Sequence, residues 1–421
     1  MSFQHGLSGL SVASTNLDVV GNNVANANTI GYKQSQAQFT DIYANSLAGA
    51  GHSQVGIGSK VAAIAQAFNQ GDISPTSNPL DIAINGQGFF RMSDQGVISY
   101  SRNGQFQIDK NGFIVDSKGT NLTGYATDTN QNIVSNQPTN LKITTSDLPP
   151  KVTSTFEWGF NLDSRKSGPS ITTFNANDAK SYTNTSSGTV IDSLGNPHTL
   201  AIFFQKSSST SNAWEAYATI DGKVDAAGLP VGVTLDNVGS KPMTFNEKGI
   251  LTAPTGSINV SVDLNAINPT LGAESPFNFT LDLTKTTQFG SDFGINSITQ
   301  NGYTSGRLSS FQASADGIIQ GIYTNGQTRT LGQVVLASFV NPHGLNPVGD
   351  GRWLETPESG QPLVGIPKTG TLGVLQPSAV EDANVDLTAE LVKMITAQRM
   401  YQANAKTIET QDAILQTLVN L

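Results

Sequence analysis

The last part of the chain, residues 384–421, constrains the fold most, because it contains neither glycine nor proline. Mostly apolar residues recur along it at alternating spacings of four and three, which is the heptad pattern of a coiled coil. Asn384 or Asp386 can cap the start of such a helix, and Glu390 lies in its first turns, where the helix dipole favours negative charge. A helix of about 35 residues is about 50 Å long, which exceeds the needs of most compact domains. The heptad positions are Leu387, Leu391, Met394, Gln398, Tyr401, Ala405, Ile408, Asp412, Leu415 and Val419.

The beginning of the chain carries a weaker stripe with the same alternation. Its positions are Phe3, Leu7, Leu10, Ser14, Leu17, Gly21 and Val24. We expect this first helix to stop near residues 21–28, because Gly and Asn favour caps and turns over helix interiors. Two interpretations remain open: the two helices pair within one molecule, or both stripes are kept for neighbouring copies in a bundled or tubular polymer.

Composition limits the classes of protein that this chain can belong to. It has 421 residues, so two to four domains are expected. Its formal net charge of −9 argues against a nucleic-acid partner, which calls for clustered Lys and Arg. The absence of cysteine excludes a thiol nucleophile, a disulfide framework and a thiolate metal site. The first residues do not resemble a secretory signal peptide, and no stretch of about 18 apolar residues predicts a membrane span.

The pattern of turn and strand signals predicts a mainly β protein with α-helical termini and nested domains. Residues 1–30 and 380–421 are the coiled-coil-like terminal helices, and residues 31–70 and 366–379 connect them to the rest. A middle β domain is built from both flanks, residues 71–148 and 291–365, and an outer β domain is inserted at residues 149–290. Strands of the insertion are expected at residues 156–162, 199–205, 214–220 and 277–283.

Several local signals refine this division. Tyr32, Phe39, Ile42, Tyr43 and Leu47 have spacings that fit a short amphipathic helix or an irregular packed segment, whereas residues 60–68 favour a strand. The dipeptides Asn103-Gly104 and Asn111-Gly112 predict β-hairpins, because a type I′ turn needs positive φ at both central residues.

We find no pattern that predicts catalysis, a cofactor or a metal ion. His5, His52, His198 and His343 stand singly, and each is expected at a surface or a turn rather than on a metal. Residues 86–91 begin like a dinucleotide loop but place Arg91 where the third Gly belongs. Asp128, Asn130 and Asn132 begin like a calcium loop, but Ile133 and Thr139 occupy the positions of the required Gly and Glu. We therefore predict that the chain is not an enzyme.

Both flanks resemble a known family. The segment from Asn22 to Lys33, N-N-V-A-N-A-N-T-I-G-Y-K, is similar to the N-terminal signature of the bacterial flagellar rod and hook proteins. Residues 384–410 resemble the C-terminal signature of that family, and residues 100–106 resemble its core sheet domain. The signature positions matched here are Asn22, Asn23, Asn26, Asn28, Gly31, Gln398, Arg399 and Asn404.

The resemblance implies a structural subunit that is exported without a cleaved signal by the flagellar type III apparatus. The large insertion resembles that of hook subunits and is lacking in the shorter distal rod protein. The implied function is a short, curved, flexible extracellular tube that transmits motor torque, with other copies and the distal rod, cap, junction and length-control proteins as partners. The alternatives are a distal rod protein, distinguished by a straight polymer, and a secreted adhesin, distinguished by a closed trimer.

Overall fold

A computed structural model describes residues 2–42, 56–128, 131–144 and 146–419, with side chains for residues 3–417 of these ranges. The chain divides into two compact units. Unit 1 comprises residues 1–145, 309–322 and 328–421, and unit 2 comprises residues 146–308 and 323–327. Two long helices, α1 (Ser2–Ala25) and α3 (Leu387–Val419), belong to unit 1, and the short helix α2 (Leu264–Ile267) belongs to unit 2. The prediction of a mainly β protein with helical termini is confirmed.

The described residues of unit 1 form one large sheet and three strand pairs. The sheet orders its main strands as 308–313, 318–323, 328–334, 121–126, 89–94, 97–101, 352–354 and 346–349. The strands of unit 1 are Ser35–Ile42, Gly58–Gln66, Ile73–Pro75, Ile82–Asn85, Phe89–Asp94, Val97–Ser101, Gln107–Ile108, Ile114–Val115, Asn121–Ala126, Thr139–Asn140, Leu308–Ala313, Ile318–Tyr323, Thr328–Val334, Leu336–Ser338, Asn346–Gly349, Arg352–Leu354, Leu363–Gly365, Val374–Pro377 and Ala379–Glu381, with a 3-10 turn at Pro342–Gly344.

Aromatic side chains fill the core of this sheet. Phe89 and Tyr100 pack with Phe339 and Trp353, all buried, and Phe68 covers the group edge-to-face. These residues come from segments far apart in sequence, so that both flanks of the chain are needed to build one core. Such non-local burial stabilises the large sheet through apolar area removed from water.

Unit 2 is a sandwich of two five-stranded sheets. One sheet has the order 233–235, 258–262, 277–282, 155–161 and 294–300, and the other has the order 184–191, 197–206, 213–220, 240–245 and 251–253. Inward-facing residues of both sheets, including Trp158, Phe204 and Trp214, form one buried cluster. The strands are Thr155–Asn161, Asn184–Ile191, Pro197–Lys206, Ala213–Ile220, Val233–Leu235, Ser240–Phe245, Leu251–Ala253, Ile258–Val262, Phe277–Asp282 and Gly294–Gln300, and they include the four predicted from sequence.

The structure corrects two details of the sequence interpretation. Residues 35–42 form a strand that pairs with residues 58–66, rather than a short helix or an irregular segment, while Tyr43 and Leu47 lie outside the described residues. The strand Gly294–Gln300 pairs with Thr155–Asn161 in unit 2, so the boundary set at residue 291 falls too early. Turn signals at Asn301-Gly302 misled the prediction because strands of both units are flanked by similar turns.

The two Asn-Gly signals have different outcomes. Residues 107–108 pair with residues 114–115 around Asn111-Gly112, where Gly112 has φ of +87°, so this hairpin is confirmed. The hairpin predicted at Asn103-Gly104 is wrong, because residues 97–101 pair with residues 89–94 and 352–354. A Cβ on Gly104 would lie 1.8 Å from the carbonyl oxygen of Ile82. Glycine is required there for close approach of two backbones.

Candidate assembly interface

The long terminal helix α3 begins at a polar cap. The Asp386 carboxylate accepts hydrogen bonds from the backbone N–H groups of Thr388 (2.9 Å) and Ala389 (3.1 Å). These are N–H groups of the first helical turn that have no partner within the helix. Of the two predicted caps, Asp386 is therefore the one that is used. The Asn384 side chain instead accepts from the Gln34 backbone N–H at 2.8 Å and donates to the carbonyl of Ala67 at 2.8 Å.

Helices α1 and α3 pack against each other in antiparallel orientation. Gly6 faces Ile408 near one end, and Asn23 bonds to Glu390 near the other. Cβ atoms built on Gly6 and Gly9 would lie 2.9 Å from Ile408 Cγ1 and 2.7 Å from Asn404 Oδ1. The buried line of α1 thus runs through small residues, which allow the two helices to approach closely, and continues through buried Ala13, Val20 and Asn23.

The predicted stripes lie beside this buried line. Phe3, Leu7, Leu387, Leu391, Tyr401 and Leu415 are exposed, the least of them by 38%. Leu10, Leu17, Val24, Met394 and Ile408 are half-buried, and Val419 is placed in α3 without a described side chain. Pairing within one molecule therefore covers only part of each stripe. Val392 and Ile395 add exposed apolar surface to the first turns of α3.

A buried polar junction holds the two chain ends together. The Asn23 side chain donates to Glu390 Oε2 at 3.0 Å and to the Ser35 carbonyl at 2.8 Å. Gln34 Nε2 donates to Glu390 Oε1 at 2.7 Å, and Lys393 Nζ lies 2.7 Å from the same oxygen. Burial opposes ionisation of Glu390, but the hydrogen bonds from Lys393, Asn23 and Gln34 outweigh it and hold its pKa below the ordinary value.

The lowered pKa of Glu390 predicts a pH-dependent contribution to the stability of unit 1. Because its folded-state pKa lies below its unfolded one, this contribution is present above the ordinary Glu pKa and is lost as pH falls through the folded value. We expect Glu390→Gln to lower the free energy of unfolding by about 1–2 kcal/mol at pH 7. Urea unfolding at pH 7 and pH 3 measures it. A deficit of the same size at both values would contradict the ionised role.

A second buried cluster is centred on Glu381. Lys33 Nζ lies 2.6 Å from Glu381 Oε1, and Arg102 Nη1 lies 3.1 Å from Oε2, with all three side chains at most 5% exposed. The backbone N–H of Gly71 also donates to Oε1 at 3.0 Å. Burial lowers the pKa of Lys33 and of Arg102, and the Glu381 carboxylate opposes this effect. The cluster joins the segment that follows α1, residues 26–34 (the N-terminal arm), to the large sheet and to the strand Ala379–Glu381 (the C-terminal strand).

The structure gives physical roles to most of the signature residues. Asn22 and Asn23 accept hydrogen bonds from the Tyr32 hydroxyl at 2.8 and 3.1 Å, which fixes the turn after α1. Asn26 donates to the Asn22 carbonyl at 3.0 Å. Gly31 has φ of +70° and donates to the Glu381 carbonyl at 2.7 Å. Asn404 faces Gly9 in the helix pair, whereas Asn28, Gln398 and Arg399 are exposed.

The titratable residues outside these clusters show one unexpected arrangement. His198 is buried, with Nδ1 2.7 Å from Asp221 Oδ2 and Nε2 3.3 Å from Asp192 Oδ2. The expectation that it stands alone at a surface or turn is wrong, because the strand that begins at Pro197 folds it between two carboxylates. In the described ranges, no group of three or more His, Asp or Glu side chains is placed to hold a metal ion. None of the described helices has the length and hydropathy to cross a membrane.

Comparison with protein-family models shows which class of protein the chain belongs to. Four family models match in chain order: "Flagella basal body rod protein" at residues 3–33 and "Flagellar hook protein FlgE/F/G D1 domain" at residues 83–155. "Flagellar basal body protein FlaE D2 domain" follows at residues 161–303, and "Flagellar basal body rod FlgEFG protein C-terminal" at residues 376–421. The helix pair, the large sheet and the sandwich therefore all match flagellar rod and hook proteins.

Relatives that match over the full length of the chain distinguish between the rod and hook members of this class. The chain is 43% identical over 427 residues to the flagellar hook protein FlgE of Escherichia coli, with 100% of both chains covered. It is 42% identical to the hook protein of Salmonella typhimurium, again over 100% of both chains. It is 33% identical to that of Borreliella burgdorferi, covering 100% of this chain and 99% of the relative. The chain belongs to the flagellar hook protein family.

Proposed function

We propose that this chain is the structural subunit of the bacterial flagellar hook, polymerising into a short, curved, flexible tube that transmits motor torque to the filament. The observation that carries the proposal is the pair of terminal helices, which pack together and still expose apolar side chains such as Phe3, Leu7 and Leu391. An exposed apolar surface of this kind marks an interaction site. Full-length identity to hook proteins supports the hook over the distal rod.

The same proposal includes the binding partners of the subunit and its route of export from the cell. Neighbouring copies of the chain are the main partner, and the distal rod, hook cap, hook-filament junction and hook-length-control proteins are further ones. The subunit acts outside the cell, after export through the flagellar type III apparatus without a cleaved signal. It carries no cofactor and no catalytic function, and its relatives are named as hook proteins rather than as enzymes.

The terminal helices, the large sheet and the sandwich have different surfaces, and we assign them different roles in the tube. The apolar stripes of α1 and α3 line the inner tube and hold neighbouring copies together. The large sheet of unit 1 forms the middle layer, and unit 2, residues 146–308 and 323–327, forms the outer layer. An outer surface rich in Ser, Thr and Asn adheres weakly, which lets outer domains slide as the tube bends.

A double variant of α1 tests the role of the stripes. Phe3→Ser with Leu7→Ser removes two apolar side chains that are 46% and 54% exposed in the monomer. We expect the free energy of unfolding to change by less than about 1 kcal/mol, because exposed substitutions have small effects. We expect polymer formation to be lost, because neighbouring copies lose the apolar area that they bury. Sedimentation and electron microscopy of the purified full chain measure polymer formation.

The matched control is Val97→Ser, which changes a side chain that is 61% exposed on a strand of the large sheet. It is expected to polymerise like the wild type. Normal tubes from the double variant would refute the role of the stripes. Straight, stiff tubes from the wild type would favour a distal rod protein, and closed trimers would favour an adhesin.

A further inference from the structure

Unit 1 contains a cavity of about 440 Å³ beside the large sheet. Its wall is built from buried Gly88, Phe89 and Phe339 together with half-buried Phe68. Val340, which is 82% exposed, lies at its rim. Polar side chains also line it, those of Asn69, Gln87, Ser338 and His343, and a cavity of this mixed character can receive an apolar stem and orient it by a polar contact.

Arg102 supplies such a contact. Its side chain is part of the cavity wall and is 5% exposed. Nη1 donates to Glu381 and to the Ile84 carbonyl (3.3 Å), and Nη2 donates to the Gly86 carbonyl at 2.7 Å. Nε is buried and has no acceptor among the described residues. A buried donor without an acceptor is costly, so Arg102 keeps hydrogen-bonding capacity that the described residues do not use.

The net charge around Arg102 also favours an additional anion. Lys33 and Arg102 carry one positive charge each and Glu381 carries one negative charge, so the ionised cluster has a net charge of +1. In the described part of the chain, Glu381 is the only carboxylate within ion-pair distance of either cation. Carbonyl groups such as that of Asn69 compensate only partly, because they carry no full charge. An added carboxylate beside Arg102 would neutralise the cluster.

We propose that this cavity receives an Asp or Glu side chain from a second copy of the chain. The inference rests on the proposed polymerisation, and charge complementarity identifies the partner. Copies of the chain carry 32 acidic against 23 basic residues, so each offers carboxylates in excess. The carboxylate lies against Arg102, and the apolar stem of the incoming side chain lies against Phe89, Phe339 and Val340. The contact therefore joins neighbouring sheet domains, in addition to the stripes on the helices.

A carboxylate placed at the rim tests the proposal. Val340→Glu supplies negative charge to the cavity from within the chain and repels an incoming carboxylate, whereas Val340→Gln has the same shape without the charge. We expect the critical concentration for polymerisation of V340E to exceed that of V340Q about tenfold, which corresponds to about 1.4 kcal/mol. Val97→Glu adds the same charge elsewhere on unit 1 and is expected to behave like the wild type. Equal critical concentrations for V340E and V340Q would overturn the proposal.

A small probe tests the cavity separately from assembly. Phenylacetate, which has an aromatic ring and a carboxylate, should shift the amide resonances of Gly88 and Val340 in the monomeric full chain, and neutral phenylacetamide should not. Equal shifts with both compounds, or none with either, would refute the carboxylate site. Phenylacetate binding together with normal assembly of V340E would overturn the role of the second copy. If the wild type forms no tubes, the proposed function fails, while the phenylacetate result still reports on the cavity.

Discussion

Glu381→Gln is expected to lower the free energy of unfolding of unit 1 by about 3–5 kcal/mol, which is the usual cost of removing one partner from a buried ion pair. The glutamine keeps the size of the side chain but removes the charge that compensates both Lys33 and Arg102. The side chains of Lys33 and Arg102, which are 0% and 5% exposed, are then left without a compensating anion. Hydrogen exchange during urea unfolding measures the effect, because it reports separately on amides of the sheet of unit 1 and of the sandwich of unit 2.

Glu409→Gln is the matched control for this prediction. Glu409 also pairs with a lysine at 2.7 Å, but Lys406 and Glu409 are 78% and 67% exposed on α3. An exposed pair of this kind contributes between about 0 and 1 kcal/mol, so the control should unfold nearly like the wild type. Unit 2 should be unchanged in both variants. A similar, small loss in both would show that Glu381 has no special role in holding the chain ends to the sheet.

The two long helices show what the spacing of apolar residues can predict and what it cannot. Heptad spacing predicted both long helices. Cap preferences predicted that α1 stops near residues 21–28, where it ends at Ala25, and that Asn384 or Asp386 caps α3, where Asp386 does so. It did not predict which face is buried between them, because a stripe is recognised by large apolar residues. The contact instead uses Gly6 and Gly9, whose value lies in the space they leave for Ile408 and Asn404. Such a contact depends on the partner helix and cannot be derived from either helix alone.

The cluster centred on Glu381 was beyond the reach of sequence patterns for a related reason. Lys33, Arg102 and Glu381 are far apart in the chain, and each is a residue type that is normally exposed. Resemblance to the family marked Asn22, Asn23 and Gly31 as important positions without giving their physical roles. Those roles appear only when the C-terminal strand lies beside the N-terminal arm. The assignment of the outer stripes to neighbouring copies stays a prediction.

Gly31→Ala is expected to destabilise unit 1 by about 3 kcal/mol or more, because two effects add at this position. The residue has φ of +70°, a conformation that costs an L-residue about 1–2 kcal/mol. A Cβ would also lie 2.6 Å from the backbone nitrogen of Asn103 and 2.7 Å from the carbonyl carbon of Arg102. Neither atom belongs to a flexible side chain, so relief requires the N-terminal arm to move away from the sheet. That movement would draw Lys33 away from Glu381.

Gly360→Ala separates the two effects. Gly360 lies in the same unit with a closely similar φ of +74°, but its Cβ would meet no atom within 4 Å. The control should therefore show the cost of the conformation alone, about 1–2 kcal/mol, and the excess in Gly31→Ala should report the contact with Arg102 and Asn103. Thermal unfolding followed at unit 1 measures both variants. Equal losses of stability in the two variants would mean that the N-terminal arm can move away from Arg102 and Asn103 at little cost. Gly31 would then be required only for its positive φ.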